Sequence, residues 1–263
     1  MSTSGPSGFG GAPGAINPYS PPATSIEASP AAAGYRSALP LAKAMVAVLG
    51  LNAFVEVLSD LNGLLTISVM ERVAAGEQVP EAQLSAIDTR SNVIVGLGLI
   101  LLVTVIVQFC LFMARTNRNA RAFGSHLRIT PRWAAGFFFV PIVNLWKPYQ
   151  AMKEIWQGSH PDPNVYAWNV RVPALMKFWW AVYLLNNFGG YIVLRSAKIE
   201  PSPRELIENT WAEIITSATA IGAAILAALL VRAVAMRQEA RQRRHPAGSP
   251  PPGAMPLTAG VAP

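Results

Sequence analysis

The sequence predicts an all-α integral membrane protein with four transmembrane helices, and three observations lead to that prediction. Only 13% of the 263 residues are charged and 52% are hydrophobic, whereas soluble proteins carry roughly 25% charged residues. The apolar residues gather in long runs rather than at amphipathic spacing. Four runs reach the length of about 20 residues that a helix needs to cross the hydrocarbon of a bilayer.

The two ends of the chain differ in composition from its middle. Residues 1–38 are rich in Gly, Pro, Ser and Ala, and residues 237–263 are first basic and then rich in proline. Such segments bury too little apolar surface to offset the entropy lost on folding. We therefore predict disordered tails on both sides of a membrane domain at 39–236.

The four predicted spans are residues 41–64, 92–113, 173–194 and 211–236. The second span is the clearest, because it holds no charged side chain, and the fourth has an uncharged core. The third carries Lys177 near one end, where a long stem can bring the ammonium group to the lipid headgroups.

The distribution of basic residues predicts the orientation, because Lys and Arg near helix ends are retained in the cytoplasm. Sixteen of the 21 Lys and Arg residues lie in the two terminal flanks, in the segment between spans two and three, or within the adjoining span ends, where Lys43, Lys177 and Arg232 are counted. The other two loops hold five, together with eight acids. Both termini are therefore predicted to be cytoplasmic. The same asymmetry accounts for the pI of about 9.9, so we expect no nucleic-acid partner.

A shorter apolar segment lies between spans two and three. Residues 133–145 are too few to cross a bilayer and include Pro141, which predicts a re-entrant or interfacial element at about 131–158. The sequence does not decide between a re-entrant segment, which dips into the membrane, and an interfacial segment, which lies on its surface. Further on, apolar residues at helical spacing predict an in-plane amphipathic helix that begins near Pro148.

The exit of the second span is basic. Arg115, Arg118 and Asn119 are three or four residues apart and share a helix face that suits anionic headgroups. Arg121 and Arg128 follow closely in the sequence. We therefore expect these four arginines to contact anionic lipid.

Polar side chains inside the first span are further candidates for a site, since an ionised group at the bilayer centre costs about 2.5–3.5 kcal/mol. Asn52, Glu56 and Asp60 recur every four residues and share one helix face. A cation or proton pathway would explain them, and so would salt bridges to outer-loop basic residues, which we favour. The candidate salt-bridge partners are Arg90, Arg195 and Lys198.

The third span also contains an unusual polar group. Asn186 and Asn187 precede Gly189 and Gly190. An unwound turn that lines a cavity fits this pattern. Interhelical hydrogen bonds with close glycine packing fit it as well, and we favour that interpretation.

Residues from the end of span two to the start of span three resemble one known family, the bacterial membrane proteins catalogued as domain of unknown function 4328. The resemblance covers roughly residues 40–235. It implies a multi-helix protein of the bacterial inner membrane with no established activity, and it supplies no catalytic residues. The residues that carry the resemblance are Arg115, Arg118, Asn119, Pro131, Trp133, Phe138, Pro141, Asn144, Leu145, Pro148, Tyr149, Trp179 and Trp180.

Two residues of this set have specific expected roles. We expect Asn144, beside Pro141, to cap the turn of a re-entrant segment, because a buried turn leaves backbone groups to satisfy. Contact with a ligand is the alternative. Trp133 is expected to anchor the segment at the membrane interface.

No motif points to an enzyme or a cofactor. The three histidines are far apart, and none joins a Cys or acidic cluster at ligand spacing. Hydrolase and nucleotide-binding motifs do not appear. We therefore expect a non-enzymatic membrane interaction or envelope-associated module that contacts anionic lipid, and we leave open a protein partner or homo-oligomer. The alternative is a small-solute or ion transporter with a polar path through Glu56, Asp60 and Asn186.

Overall fold

The computed structural model describes residues 34–162, 164–166, 169–196, 198 and 201–248. Within these residues the chain forms α-helices and short 3-10 turns and no strand, so the all-α prediction is confirmed. Two 3-10 turns, Phe137–Phe139 and Val143–Leu145, lie between α3 and α4. The helices are α1 (Leu39–Ala74), α2 (Glu81–Ala122), α3 (Pro131–Gly136), α4 (Lys147–Gly158), α5 (Ala174–Ser196) and α6 (Pro203–Arg244).

Three helices of the described chain, α1, α2 and α6, are long and apolar enough to cross a membrane. Each contains one predicted span and extends beyond it at both ends. The remaining predicted span lies on α5, which has 23 residues. Helix α5, whose sequence includes Lys177, Asn186 and Asn187, is not among the three helices that are long and apolar enough to span.

The long helices pack in an antiparallel row. Ser217 of α6 contacts Asp60 of α1, and on the other flank of α6, Thr219 lies 3.2 Å from Asn186 of α5. Helix α2 packs along α1 and also contacts the last turns of α6. The order across the row is therefore α2, α1, α6, α5.

The protein core lies at one end of the row, which we call the basic end. It comprises the start of α1, the end of α2, α3, α4, the start of α5 and the end of α6, and these elements and their flanks hold the sixteen basic residues counted above. Phe112, Met152 and Val234 are fully buried there. The opposite end of the row, where α1 and α5 end and α2 and α6 begin, we call the acidic end.

Helix α4 contributes its apolar face to this core. It begins at Lys147 with Pro148 in its first turn, close to the predicted start. Ala151, Met152 and Ile155 are fully buried, because α4 packs on α2, α5 and α6. The helix is amphipathic as predicted, but protein and not lipid covers its apolar face.

Both predicted tail boundaries are wrong where the structure describes them. Residues 237–244 continue α6 and bury Gln238 and Arg241, because one face of the helix meets protein partners. Residues 34–38 are also held, since the hydroxyl groups of Tyr35 and Ser37 donate to the Glu239 carboxylate. The other parts of the predicted tails, 1–33 and 249–263, lie outside the described residues.

Candidate functional site

A cleft of about 640 Å³ lies between α2 and α5, and we call it the lateral cleft. Helices α1 and α6 form its back wall, and the 3-10 turns lie at its basic-end side. Within the described residues α2 and α5 do not pack as helices; they meet where Phe109 stacks on Trp179, with ring centroids 5.8 Å apart. Towards the acidic end from this contact, the cleft is open sideways between the two helices.

Four amides and one carboxylate line the lateral cleft. Asn52 and Glu56 come from α1, Asn144 from the second 3-10 turn, and Asn186 and Asn187 from α5. Tertiary packing therefore brings together four of the five predicted intramembrane polar residues and adds the asparagine that was expected to cap a turn.

Glu56 has no cationic partner and no hydrogen bond within the described part of the chain. None of the three predicted basic partners reaches it. Arg90 donates to Asn62 instead, at 3.1 Å, and Lys198 pairs with Glu205. The reason is distance along α1, because Asn62 lies six residues, or about 9 Å, beyond Glu56. The favoured salt-bridge interpretation of Glu56 is therefore wrong.

Asp60, in contrast, is fixed by a neighbouring helix. The Ser217 hydroxyl lies 2.7 Å and 2.6 Å from the two carboxylate oxygens of Asp60 and donates to them. Asp60 is not among the residues that line the lateral cleft. Residues four apart on a helix differ by about 40° in direction, so Glu56 lines the cleft while Asp60 contacts α6.

The asparagine pair of α5 lies in a continuous helix, without an unwound turn. The Asn186 Oδ1 accepts a hydrogen bond from the Thr219 hydroxyl at 3.2 Å. A Cβ added at Gly189 would lie 3.3 Å from Thr216 Cγ2 of α6, so the two helices approach closely there. Asn187 donates to the Tyr183 carbonyl at 2.7 Å. These contacts agree with the helix-packing interpretation.

Asn144 does not cap its turn with its side chain. Its Nδ2 lies 3.5 Å from the Tyr183 hydroxyl, and its buried Oδ1 has no hydrogen-bond partner in the described chain. The turn is closed by backbone, with Val143 N 2.6 Å from Pro141 O and Ile142 at φ 64° and ψ −56°. This is the strained, positive-φ γ-turn. The capping prediction is wrong because the backbone satisfies the turn and leaves the amide to the cleft.

Four aromatic rings line the cleft on the side of the basic end, and we call them the aromatic floor. They are the rings of Phe109, Phe138, Trp179 and Tyr183. Phe138 meets Phe109 edge-on with centroids 5.2 Å apart, and Trp179 lies 6.0 Å from Tyr183. The indole of Trp180 donates to the Leu145 carbonyl at 3.2 Å and ties α5 to the second 3-10 turn. Several residues of the predicted motif set therefore build this floor.

Other motif residues shape the segment before α4. Pro131 opens α3, and the Thr130 hydroxyl caps the backbone of Trp133. Trp133 is exposed and stacks on Phe137, with centroids 5.0 Å apart. Tyr149 of α4 lies 6.3 Å from Trp180.

The four predicted headgroup arginines divide into two kinds, and Arg121 has a structural role. Its Nε donates to Asn117 Oδ1 at 3.1 Å. One terminal nitrogen donates to the Leu127 and Ile129 carbonyls at 2.7 and 3.0 Å. Arg121 therefore holds the loop after α2 in place, and two of its guanidinium nitrogens already have protein partners.

Arg115, Arg118 and Arg128 differ from Arg121. Arg118 and Arg128 are exposed and Arg115 is half-buried, and none has a hydrogen-bond or ion-pair partner within the described residues. Asn119 does not share their face, because it is only 2% exposed. The predicted headgroup face therefore loses Asn119 but keeps three available guanidinium groups.

Asn119 instead belongs to a buried network at the basic end. Its Nδ2 lies 2.9 Å from both Arg36 O and Gln238 Oε1. Gln238 Nε2 donates in turn to Thr116 O and Ser159 Oγ at 2.8 and 2.9 Å. The sequence analysis missed Gln238 because it assigned this residue to a tail. The signal was present, since Gln238 continues the helical spacing of the buried face of α6.

A second cavity of about 770 Å³ lies at the basic end, between the loop after α2 and α4. Arg128, Lys147, Lys153 and Arg241 line it, and we call it the basic bowl. Its Glu154 accepts a hydrogen bond from the Ile129 backbone at 3.0 Å. Within the described residues, no group of three or more His, Cys, Asp or Glu residues is placed to hold a metal ion.

Comparison with known proteins gives one family match. A family model described as "Domain of unknown function (DUF4328)" matches residues 75–236. The match includes α2, α3, α4, α5 and the 3-10 turns and ends within α6, whereas α1 precedes it. No curated protein and no solved structure matches the chain.

Proposed function

The chain belongs to the DUF4328 family, and from that premise we propose that it is a non-enzymatic, four-span module of the bacterial inner membrane that holds anionic lipid against its basic end. Both termini lie on the cytoplasmic side in this proposal. The family assignment agrees with a membrane protein and brings no activity with it.

Helix α5 supplies the fourth span in this proposal. Its 23 residues extend about 35 Å at 1.5 Å per residue, which exceeds the hydrocarbon thickness of about 30 Å. It packs along α6, whose apolar part is long enough to span. Asn186 and Asn187 of α5 line the lateral cleft, and Asn186 also contacts α6, so these two amides need not contact lipid.

The segregation of charge in three dimensions carries the lipid proposal. Basic residues concentrate at the basic end, where Arg115, Arg118 and Arg128 lack partners in the described chain. The basic bowl adds Lys147 and Lys153. Each Lys or Arg close to an anionic membrane surface contributes about 1 kcal/mol. Several free cations at one level therefore favour an anionic leaflet over a neutral one.

The segment between α3 and α4 supports an interfacial depth for this end. Phe139 and Ile142 are 63% and 72% exposed, and Leu145 and Trp146 are exposed beside them. Apolar side chains next to unpaired cations are typical of a surface at the boundary of headgroups and acyl chains. We therefore place the 3-10 turns at that boundary.

Thermal unfolding of the full chain in neutral detergent tests the lipid proposal. Added phosphatidylglycerol should raise the Tm of the wild type more than added phosphatidylcholine does. In R115Q/R118Q/R128Q the excess Tm increase with phosphatidylglycerol over phosphatidylcholine should fall by several degrees. The reason is that a change of 1 kcal/mol in stability shifts the Tm by about 2–4 °C for a protein of this size. The control R115K/R118K/R128K, which retains the three positive charges, should keep the excess Tm increase with phosphatidylglycerol. An unchanged phosphatidylglycerol effect in the glutamine variant would overturn the proposal.

A transporter of small solutes or ions is the second candidate, and one observation favours it. Glu56 and Asn186 line the same cleft, and Glu56 has no counter-ion in the described chain. Asp60 is less suited to the path, since Ser217 holds both of its oxygens. With Cys110 replaced, single cysteines at Glu56 and Asn186 should react with impermeant thiol reagents from opposite sides if a water path exists. Protection from both sides excludes the path.

A further inference from the structure

We infer that the lateral cleft binds an organic cation with an apolar body, whose cationic group lies against Glu56 and whose body lies between α2 and α5. This site is separate from the basic end and is independent of the anionic-lipid proposal. It also requires no path to the acidic end.

The charge of the occupant follows from the surroundings of Glu56. Glu56 lacks both a hydrogen bond and a cationic partner within the described residues, and the carboxylate of Asp60 lies one helical turn further along α1. Lys43 on the same helix is thirteen residues, or about 20 Å, away. A carboxylate at membrane depth is unfavourable unless it is paired. A bound cation would supply the missing partner, whereas an anion would be repelled by both carboxylates.

A hydrogen-bond acceptor without a donor lies against the same space. The Asn144 Oδ1 is buried and has no partner within the described residues, whereas the amide of Asn52, which also makes no hydrogen bond there, offers an acceptor oxygen together with a donor. The Asn186 Oδ1, by comparison, is already paired with Thr219. Free oxygens suit a cation better than an anion, because a positively charged group attracts acceptor oxygens and an ammonium group donates to them.

The apolar part of the occupant follows from the rest of the lining. Leu99, Leu102 and Ile106 of α2 face the cleft, and the aromatic floor closes its basic-end side. Aromatic ring faces attract cations as well as apolar groups. The volume of about 640 Å³ lies in the usual range for a drug-sized ligand, roughly 300–1,000 Å³. The sideways opening between α2 and α5 offers entry from the bilayer to a molecule that is both apolar and charged.

Other occupants fit the cleft less well. A bare metal ion would leave the apolar walls empty, and no metal-binding group of acids is present in the described chain. An acyl chain from the bilayer would fill the apolar part but leave Glu56 without a counter-charge. These two occupants are therefore outcomes that the experiment must separate from an organic cation.

Equilibrium dialysis of radiolabelled tetraphenylphosphonium against the full chain in neutral detergent tests the inference. The wild type should bind the probe saturably, and a long-chain primary alkylammonium ion, but not sodium or magnesium, should compete. Glu56→Gln keeps the shape of the side chain but removes its charge, and it should raise the Kd about tenfold or more. Glu213→Gln, an acid on α6 outside the cleft lining, is the matched control and should leave the Kd within about twofold.

A second variant keeps the test decisive if Glu56→Gln does not fold. Gly98 lines the cleft from α2, and a Cβ placed there meets nothing within 4 Å. Gly98→Leu should therefore occupy the cleft without a clash and weaken probe binding while Glu56 stays intact. Equal binding in the wild type and both cleft variants would overturn the inference, as would competition by magnesium. Absence of saturable binding to the folded wild type, expected if lipid chains fill the cleft, would overturn it as well.

Discussion

The basic end and the membrane half around the lateral cleft use the same long helices, but different surroundings cover them. At the basic end, Phe112 and Met152 have no exposed surface, because short helices fold over the long ones. Around the cleft, Leu99, Ile100 and Val103 of α2 are each more than half exposed. The first half is therefore a protein core, whereas the second depends on lipid or a ligand to cover its apolar surface.

The two halves differ in the same way in their polar groups. Asn119 and Gln238 at the basic end satisfy one another and neighbouring backbone. Glu56 and Asn144 at the cleft keep oxygens without partners in the described chain. Paired buried polar groups stabilise a fold, whereas unpaired polar groups beside a cavity indicate a binding site. Four predictions follow from this contrast.

The largest effect is expected at Gln238. Gln238→Ala removes both a donor and an acceptor from the network and leaves Asn119 and the Thr116 carbonyl without these partners. We expect a loss of about 2–4 kcal/mol in the free energy of unfolding, since unsatisfied buried polar groups are costly. Urea unfolding in mild detergent measures it. Gln150→Ala, at an exposed site on α4, is the control, and an equal loss in both variants would contradict the prediction.

The two acids of α1 should respond with opposite sign. Asp60→Ala removes the acceptor of the Ser217 hydroxyl and should destabilise the protein by about 1–3 kcal/mol. Glu56→Gln removes a charge that has no counter-ion in the described residues and should leave stability unchanged or raise it by about 1 kcal/mol. The same unfolding assay compares them. A destabilised Glu56→Gln would mean that Glu56 belongs to the scaffold.

Two neighbouring glycines of α5 test how closely α5 packs against α6, with a smaller expected change in stability. A Cβ at Gly189 would crowd Thr216, whereas one at Gly190 meets nothing within 4 Å. Gly189→Leu should therefore cost about 1–3 kcal/mol by overpacking. Gly190→Ala should stabilise α5 by up to about 1 kcal/mol, because alanine has the higher helix propensity. Equal changes in Tm for the two variants would show that α5 and α6 are not packed as described.

The smallest effect concerns the contact between residues 34–38 and α6, in which Tyr35 and Ser37 donate hydrogen bonds to Glu239. We call this contact the clasp. Burial and the hydrogen bond to Glu239 raise the pKa of Tyr35 above its usual value near 10. The folded state thus favours the protonated phenol. The resulting stabilisation is complete below pH 10 and is lost as the pH rises through the folded-state pKa. The stability advantage of the wild type over Tyr35→Phe, about 1 kcal/mol at pH 8, should shrink by pH 11.

Tyr191→Phe is the control for this pH dependence. Tyr191 is 62% exposed on α5, far from the clasp along the chain. The stability of its variant relative to the wild type should not change between pH 8 and pH 11. A Tyr35→Phe variant whose stability difference does not depend on pH would show that the hydroxyl of Tyr35 does not support the clasp.

The long helices could be predicted from the sequence because an uncharged apolar run of about 20 residues is typical of a transmembrane helix. The last turns of α6 could not be predicted in this way. Residues 237–244 look like a basic tail, and only a partner on another helix makes them part of the core. Gln238 is helical and buried because Asn119, more than a hundred residues earlier, meets its side chain.

The polar residues of the cleft could be identified from the sequence, but not their arrangement. Glu56 and Asn186 lie on α1 and α5, which are separated in the row by α6. Which of them share a cavity depends on the rotation of each helix, and local spacing does not determine it. The role of Asn144 could not be predicted either, because the turn beside it closes through its own backbone with a positive φ at Ile142, which is rare for a β-branched residue.

The length of α6 has one more consequence. Its 42 residues extend about 63 Å, while a bilayer with its headgroups is about 40–45 Å thick. Upright, the helix is longer than the whole membrane by about four turns, and the turns that carry Gln238 and Arg241 stand at its basic end. The surplus length is enough for the turns around Gln238 to pack against protein and not against lipid.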